Sequence, residues 1–141
     1  MTKSENSIYF SHLIFKQYAL RAPKWCKELV FSAVKELLVD KIVEHDGPST
    51  LRVTVNEQKN MKRQILHLLH YVPVRKSKEI DIIEDIIPLY DLNISLKTDN
   101  KIVSINEVPS KKEIDFKINN NRIEFRVSKL EGHSMIEINY K

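Results

Sequence analysis

The chain has 141 residues, 23 basic against 19 acidic, for a formal net charge of +4; without a long basic run or Arg-rich stripe, a nucleic-acid partner is not expected. With 42% hydrophobic residues it is globular in composition and long enough for one cored domain, or one domain with an appendage. Its two glycines, Gly47 and Gly132, and its single cysteine, Cys26, exclude Gly-rich phosphate loops, dinucleotide fingerprints, internal disulfides and thiolate metal clusters, a usage that fits a reducing cytoplasm.

Residues 1–7 are polar and lack the apolar stretch of a signal peptide. No apolar run approaches the roughly 18–20 residues of a membrane span, so the chain is expected to be cytoplasmic and to have no membrane partner. Ile8-Tyr9-Phe10 is strand-like, Ser11 is placed to cap a turn at His12, and a first short helix is expected over Leu13–Leu20. Pro23 suits the start of a second helix. From there Trp25, Leu29, Ala33 and Leu37 recur at i, i+4 and i+8, joined by Val30, Val34 and Leu38, while Lys24, Lys27, Glu28, Lys35 and Glu36 take the opposite face. The pattern predicts a helix of roughly four turns with one broad buried stripe.

Asp46-Gly47-Pro48-Ser49 is turn chemistry and sets a boundary between a helical segment, 1–45, and a second domain, 46–141. Beyond it the apolar period changes from 3.6 to 2. Leu51, Val53 and Val55 alternate with polar residues, and Gln64–Tyr71 reads as a central strand. Ile80–Ile87 and Leu89–Leu96 read as two strands divided by Pro88, which cannot donate to a ladder. Ile102–Ile105 stops near Pro109; Ile114, Phe116 and Ile118 alternate, turn at Asn119-Asn120-Asn121, and pair back through Ile123, Phe125 and Val127. Gly132 opens a last strand containing Met135, Ile136 and Ile138. The fold expected is mainly β: an antiparallel sandwich of seven or eight strands preceded by one or two α-helices.

His67 and His70 suggest a metal site, but residues three apart on a strand point to opposite faces and cannot share one ion. The expectation is one satisfied histidine and one exposed one. Asp81, Glu84, Asp85 and Asp91 suggest acid/base chemistry, which needs two carboxyls in different environments facing a cleft; strand alternation explains them as solvent-facing, with Asp85 anchoring a turn or pairing with Arg75. Cys26 reads as a small core residue without a histidine base. Trp25 shares the helix's apolar face with Leu29, so packing is favoured over stacking on a sugar. Tyr18, Tyr71 and Tyr90 are exposed-aromatic candidates. No catalytic residue, metal ligand or cofactor is assigned. The remaining polar candidates are His67, His70, Tyr71, Arg75 and Asp85, and the interface candidates are Trp25, Leu29, Ala33 and Leu37.

Several stretches carry a family resemblance: Tyr9-Phe10-Ser11-His12-Leu13-Ile14-Phe15, His45-Asp46-Gly47-Pro48-Ser49-Thr50-Leu51, His67 through Arg75, Glu84 through Asp91, and Glu131-Gly132-His133-Ser134-Met135. Together they resemble the C-terminal end of bacterial glycoside hydrolases related to family 42 β-galactosidases, of the β-galactosidase-like or α-L-fucosidase-like kind. The resemblance runs from about Ile8 to Ile138; Leu13 stands where the family usually has proline, and the hairpins hold fewer glycines. It implies that residues 8–45 are the last strand and helices of a trimerisation domain with a glutamine-amidotransferase-like fold, and 49–141 an accessory sandwich. The family's catalytic barrel has no counterpart here, so none of its catalytic residues is carried over. A gene fragment, a split gene and a late start codon all fit that relation.

The function expected is thus a non-catalytic C-terminal portion of a glycoside hydrolase, with upstream hydrolase domains, a partner chain or further copies of itself as partners. A free-standing sandwich that binds carbohydrate or another protein is the alternative.

Overall fold

The chain divides between Lys41 and Ile42, a few residues ahead of the change of period at Asp46. The computed structural model describes residues 2–141, and the chain forms two compact units, Met1–Lys41 and Ile42–Lys141. No helix is long and apolar enough to cross a membrane among the described residues.

The first unit has a small antiparallel ladder, β1 (Thr2–Lys3) with β2 (Ile8–Tyr9), and two helices, α1 (Ile14–Arg21) and α2 (Lys24–Leu37). α1 begins at Ile14 with no side-chain cap, so Ser11 does not serve as one. It ends where Ala22 turns left-handed (φ +44°) and donates its N–H to the Tyr18 carbonyl at 2.7 Å. Pro23 follows in an extended conformation immediately before Lys24, where its missing N–H leaves no helical bond unmade. Cys26 and Ala33, seven residues and so two turns apart on α2, are buried, as is Ile14 of α1. Lys24–Glu28 at i, i+4 (3.2 Å) and Lys3–Glu36 (2.5 Å) are exposed ion pairs.

The second unit contains β3 (Val43–His45), β4 (Leu51–Gln58), β5 (Arg63–His70), β6 (Val74–Arg75), β7 (Asp81–Ile82), β8 (Leu89–Lys97), β9 (Ile102–Val108), β10 (Lys112–Glu113), β11 (Phe116–Asn119), β12 (Arg122–Leu130) and β13 (His133–Tyr140). Two antiparallel sheets form, ordered β10-β9-β13-β5-β4 and β11-β12-β8-β3, and β6–β7 makes a separate hairpin. Each long strand turns alternate side chains inward: Leu66 and Leu68, Leu92, Ile94 and Leu96, Ile123, Phe125 and Val127, Ile136 and Ile138 build one continuous core. Full burial of each such side chain contributes roughly 1.5–3 kcal/mol.

The mainly-β sandwich preceded by helices is as expected, but three local assignments differ. Ile80–Ile87 is not a strand beyond Asp81–Ile82: the doublets Ile82-Ile83 and Ile86-Ile87 face both ways, so neither face can be laid on one sheet, and all four are exposed. Val43–His45, before the Asp46 turn, is the edge strand beside β8; three residues are too few to show a period. The alternation from Ile114 to Ile118 covers a corner, where the chain passes from β10 in one sheet to β11 in the other. The asparagine turn forms as its chemistry implies, with Asn120 at φ +45° and Asn121 at φ +60°.

Candidate functional site

The interface candidates on α2 are only partly sealed. Ala33 is buried and Leu29 half-buried, whereas Trp25 is 52% and Leu37 42% exposed. The covered row is centred on Cys26 and Ala33 rather than on Trp25, because α1 lies along that side. Beside it an apolar trough of about 370 Å³ opens between the helices, lined by Ile14, Phe15, Tyr18, Cys26, Val30 and Phe31. Phe15, Leu20, Phe31 and Leu38 also face outward. Lys35 lies over the Phe31 ring at 4.7 Å, covering one aromatic face with a flexible cation. Exposed apolar side chains are thus numerous for a unit of forty-one residues.

The polar candidates do not converge. His70 points into the sandwich, buried, with its ring Nδ1 3.2 Å from the Thr50 hydroxyl, while its backbone N–H donates to the Gly132 carbonyl at 2.7 Å. His67 lies on the opposite face of β5, as the strand period requires. Arg75 pairs with Asp81 across the β6–β7 hairpin (2.6 Å) and donates to the Lys78 carbonyl (3.1 Å); Asp85 sits farther along the exposed segment and is not its partner. Tyr71 packs against Gly132, where an added Cβ would come within 2.6 Å of the phenol oxygen. Glu84 pairs with Lys76, and Asp91 with Arg126 at 2.8 Å. Ion pairs thus account for three of the four tempting carboxylates, Asp81, Glu84 and Asp91. Among the described residues no group of three or more His, Cys, Asp or Glu is placed to hold a metal ion.

Two further arrangements were not visible in the sequence. His133 meets His67 across the β13–β5 ladder, Nε2 to Nδ1 at 3.3 Å, with parallel rings whose centroids are 5.5 Å apart. The 2.2 Å by which the centroid distance exceeds the N···N distance, from the same two contacts, is about two ring radii. The rings therefore meet edge to edge, each nitrogen aimed at the other. Asp46 accepts from the Asn93 side-chain amide (2.5 Å) and from its backbone N–H (2.9 Å), and these bonds hold its carboxyl below the usual carboxylate range. Only the register of β3 on β8 brings the two together.

No protein-family model matches the chain, and no curated protein is significantly similar to it. Among solved structures it is similar to the alpha-L-fucosidase isoenzyme 2 from Paenibacillus thiaminolyticus, with a TM-score of 0.85 and 30% sequence identity over 91% of this chain. The match covers 20% of that protein, so the chain spans about a fifth of its length.

Proposed function

We propose that the chain is a non-catalytic accessory portion of a glycoside hydrolase of the α-L-fucosidase-like or β-galactosidase-like kind, related to the family 42 enzymes, and that it supports domain packing and oligomer assembly in carbohydrate metabolism. One observation carries the reading: the helix pair leaves Phe15, Trp25, Phe31 and Leu37 outside its own small core, in a chain whose structural likeness is to one fifth of a fucosidase. The mechanism is burial. Burying such a side chain from full exposure is worth roughly 1.5–3 kcal/mol, and each of these, already partly covered, gains a share of that when a partner surface lies on it. Upstream hydrolase domains, of which residues 8–45 would form the tail, are the natural cover. Without them a second copy of the chain serves.

The test is sedimentation velocity of the isolated chain over a range of concentrations, with hydrolysis of chromogenic α-L-fucosides and β-galactosides assayed alongside. Concentration-dependent association without turnover is expected. A monodisperse, thermally robust monomer, or measurable turnover abolished by a point substitution in the chain, would overturn the proposal.

A further inference from the structure

The outer face of the five-stranded sheet carries a feature that belongs to the sandwich alone. Leu66 and Leu68 on β5 and Ile136 on β13 point into the core, so His67, His133 and Met135 stand on the solvent side of the same strands. The register places Met135 directly opposite His67, and His133 two residues back along β13, opposite Leu69. Directly opposed Cβ atoms lie about 4.5–5.5 Å apart and diagonal ones about 7–8 Å, within reach of long side chains. Two imidazoles and a thioether therefore share one small patch. His67 and Met135 are half-buried and His133 is exposed, and the rings meet through Nδ1 and Nε2, 3.3 Å apart. The carboxylates that flank them in sequence are engaged elsewhere, Glu137 by Arg63 and Glu131 by Lys129, each at 2.5 Å.

We infer that His67, His133 and Met135 form a surface site for a monovalent copper ion. Two imidazole nitrogens 3.3 Å apart, each about 2.0–2.1 Å from one ion, subtend about 105–110° at it, an angle that suits a three- or four-coordinate metal. The pair is already at chelating distance, and the β13–β5 ladder holds it there. What must change is direction. The two nitrogens face each other, and each ring has to swing about its Cβ–Cγ bond until both lone pairs meet above the sheet. That gives up one hydrogen bond near the surface and gains two metal–nitrogen bonds. Ligand chemistry then selects the ion. Imidazole serves zinc, nickel and copper alike, but thioether sulfur is a soft donor that favours Cu⁺. Hard ions such as Ca²⁺ and Mg²⁺ take oxygen ligands, and the flanking carboxylates are held in ion pairs. The inference goes beyond the packing role and does not depend on it.

The test is competitive titration of the full chain with Cu⁺ buffered by a coloured chelator under a reductant, with Zn²⁺ and Ca²⁺ titrations beside it. One Cu⁺ per chain is expected, bound more tightly than Zn²⁺, with no response to Ca²⁺. His133→Ala, which alters an exposed side chain, should weaken Cu⁺ binding about a hundredfold, the lower end of the gain from joining two ligand groups in one molecule. Met135→Leu should weaken Cu⁺ about tenfold and leave Zn²⁺ unchanged, because the thioether is a soft donor; a merely structural effect would move both ions alike. Cys26→Ala should leave the affinity as it was, since that thiol is buried in the helical unit. Failure to draw Cu⁺ from the chelator, tighter binding of Zn²⁺, loss of affinity in Cys26→Ala, or unaltered affinity in His133→Ala or Met135→Leu would overturn the inference. Association through the helix face is read separately by sedimentation without added metal, so failure of either idea leaves the other standing.

Discussion

Gly132 sits at φ +73°, and a Cβ there would lie 2.6 Å from the Tyr71 hydroxyl oxygen and 2.9 Å from its ring. Two costs therefore coincide for Gly132→Ala: about 1–2 kcal/mol for the left-handed backbone, and a clash with the ring. Gly47 differs. Its backbone is unstrained, but a Cβ would meet Leu51 Cδ2 at 2.6 Å and Leu92 Cδ2 at 3.1 Å, two buried side chains of the core. Gly47→Ala is expected to cost about 1–3 kcal/mol by overpacking alone. Urea denaturation should show both losses, and trimming Leu51 to valine should recover part of the second. Asp46, next in the chain, gives a pH signature. Its carboxyl is depressed by the Asn93 amide, so its contribution is present above the ordinary value of 3.8 and is lost as pH falls through the lower folded value. The stability difference between the native chain and Asn93→Ala should therefore be constant near neutrality and vanish in strong acid. The pair is exposed, so the difference is at most about 1 kcal/mol. A gap that persists at low pH would exclude the charge as its source.

At the scale of elements, legibility followed the length of the repeating pattern. β4, β5, β8 and β12 each turn several alternate apolar side chains inward, and their sequences showed it. β3 was hidden by its brevity. Ile80–Ile87 misled because apolar content is not alternation: its doublets supply strand-like residues without a single buried face. In α2 the period was correct, but the centre of the buried row was not. Trp25, Leu29, Ala33 and Leu37 do share a side, yet which part of an apolar stripe is covered depends on where α1 lies, and no property of α2 alone encodes that. The candidate polar set fared differently. The opposite orientation of His67 and His70 follows from strand geometry, whereas the partners His133 and Asp81 depend on a register fixed by the whole sheet. The helices also supply an element-scale prediction. Phe31 is 58% exposed, so Phe31→Ser should raise the monomer fraction in sedimentation while changing stability by no more than about 0.5 kcal/mol. Ala33→Leu, which forces volume between α1 and α2, should destabilise the helical unit by about 1–3 kcal/mol. Equal effects from both would mean that the outer face is not the contact surface.

The two units differ in what holds them together. The sandwich seals fourteen buried apolar residues in one cluster, while among the described residues the helical unit buries only Ile14, Cys26 and Ala33 to that degree. Helices of eight and fourteen residues are marginal in water without tertiary packing, and three buried side chains supply little. Unfolding of the isolated chain should therefore not be a single transition. The one tryptophan, Trp25, belongs to the helical unit, so its fluorescence reports that unit alone, while the far-ultraviolet dichroism of the strands reports the sandwich. On heating, the fluorescence transition is expected well before the dichroism transition, and raising the protein concentration should move the first upward and leave the second in place, because only the first is coupled to covering the apolar face. Coincident, concentration-independent transitions would mean that the helices are already as well held as the sheets, and the case for an external surface lying on Trp25, Phe31 and Leu37 would fail.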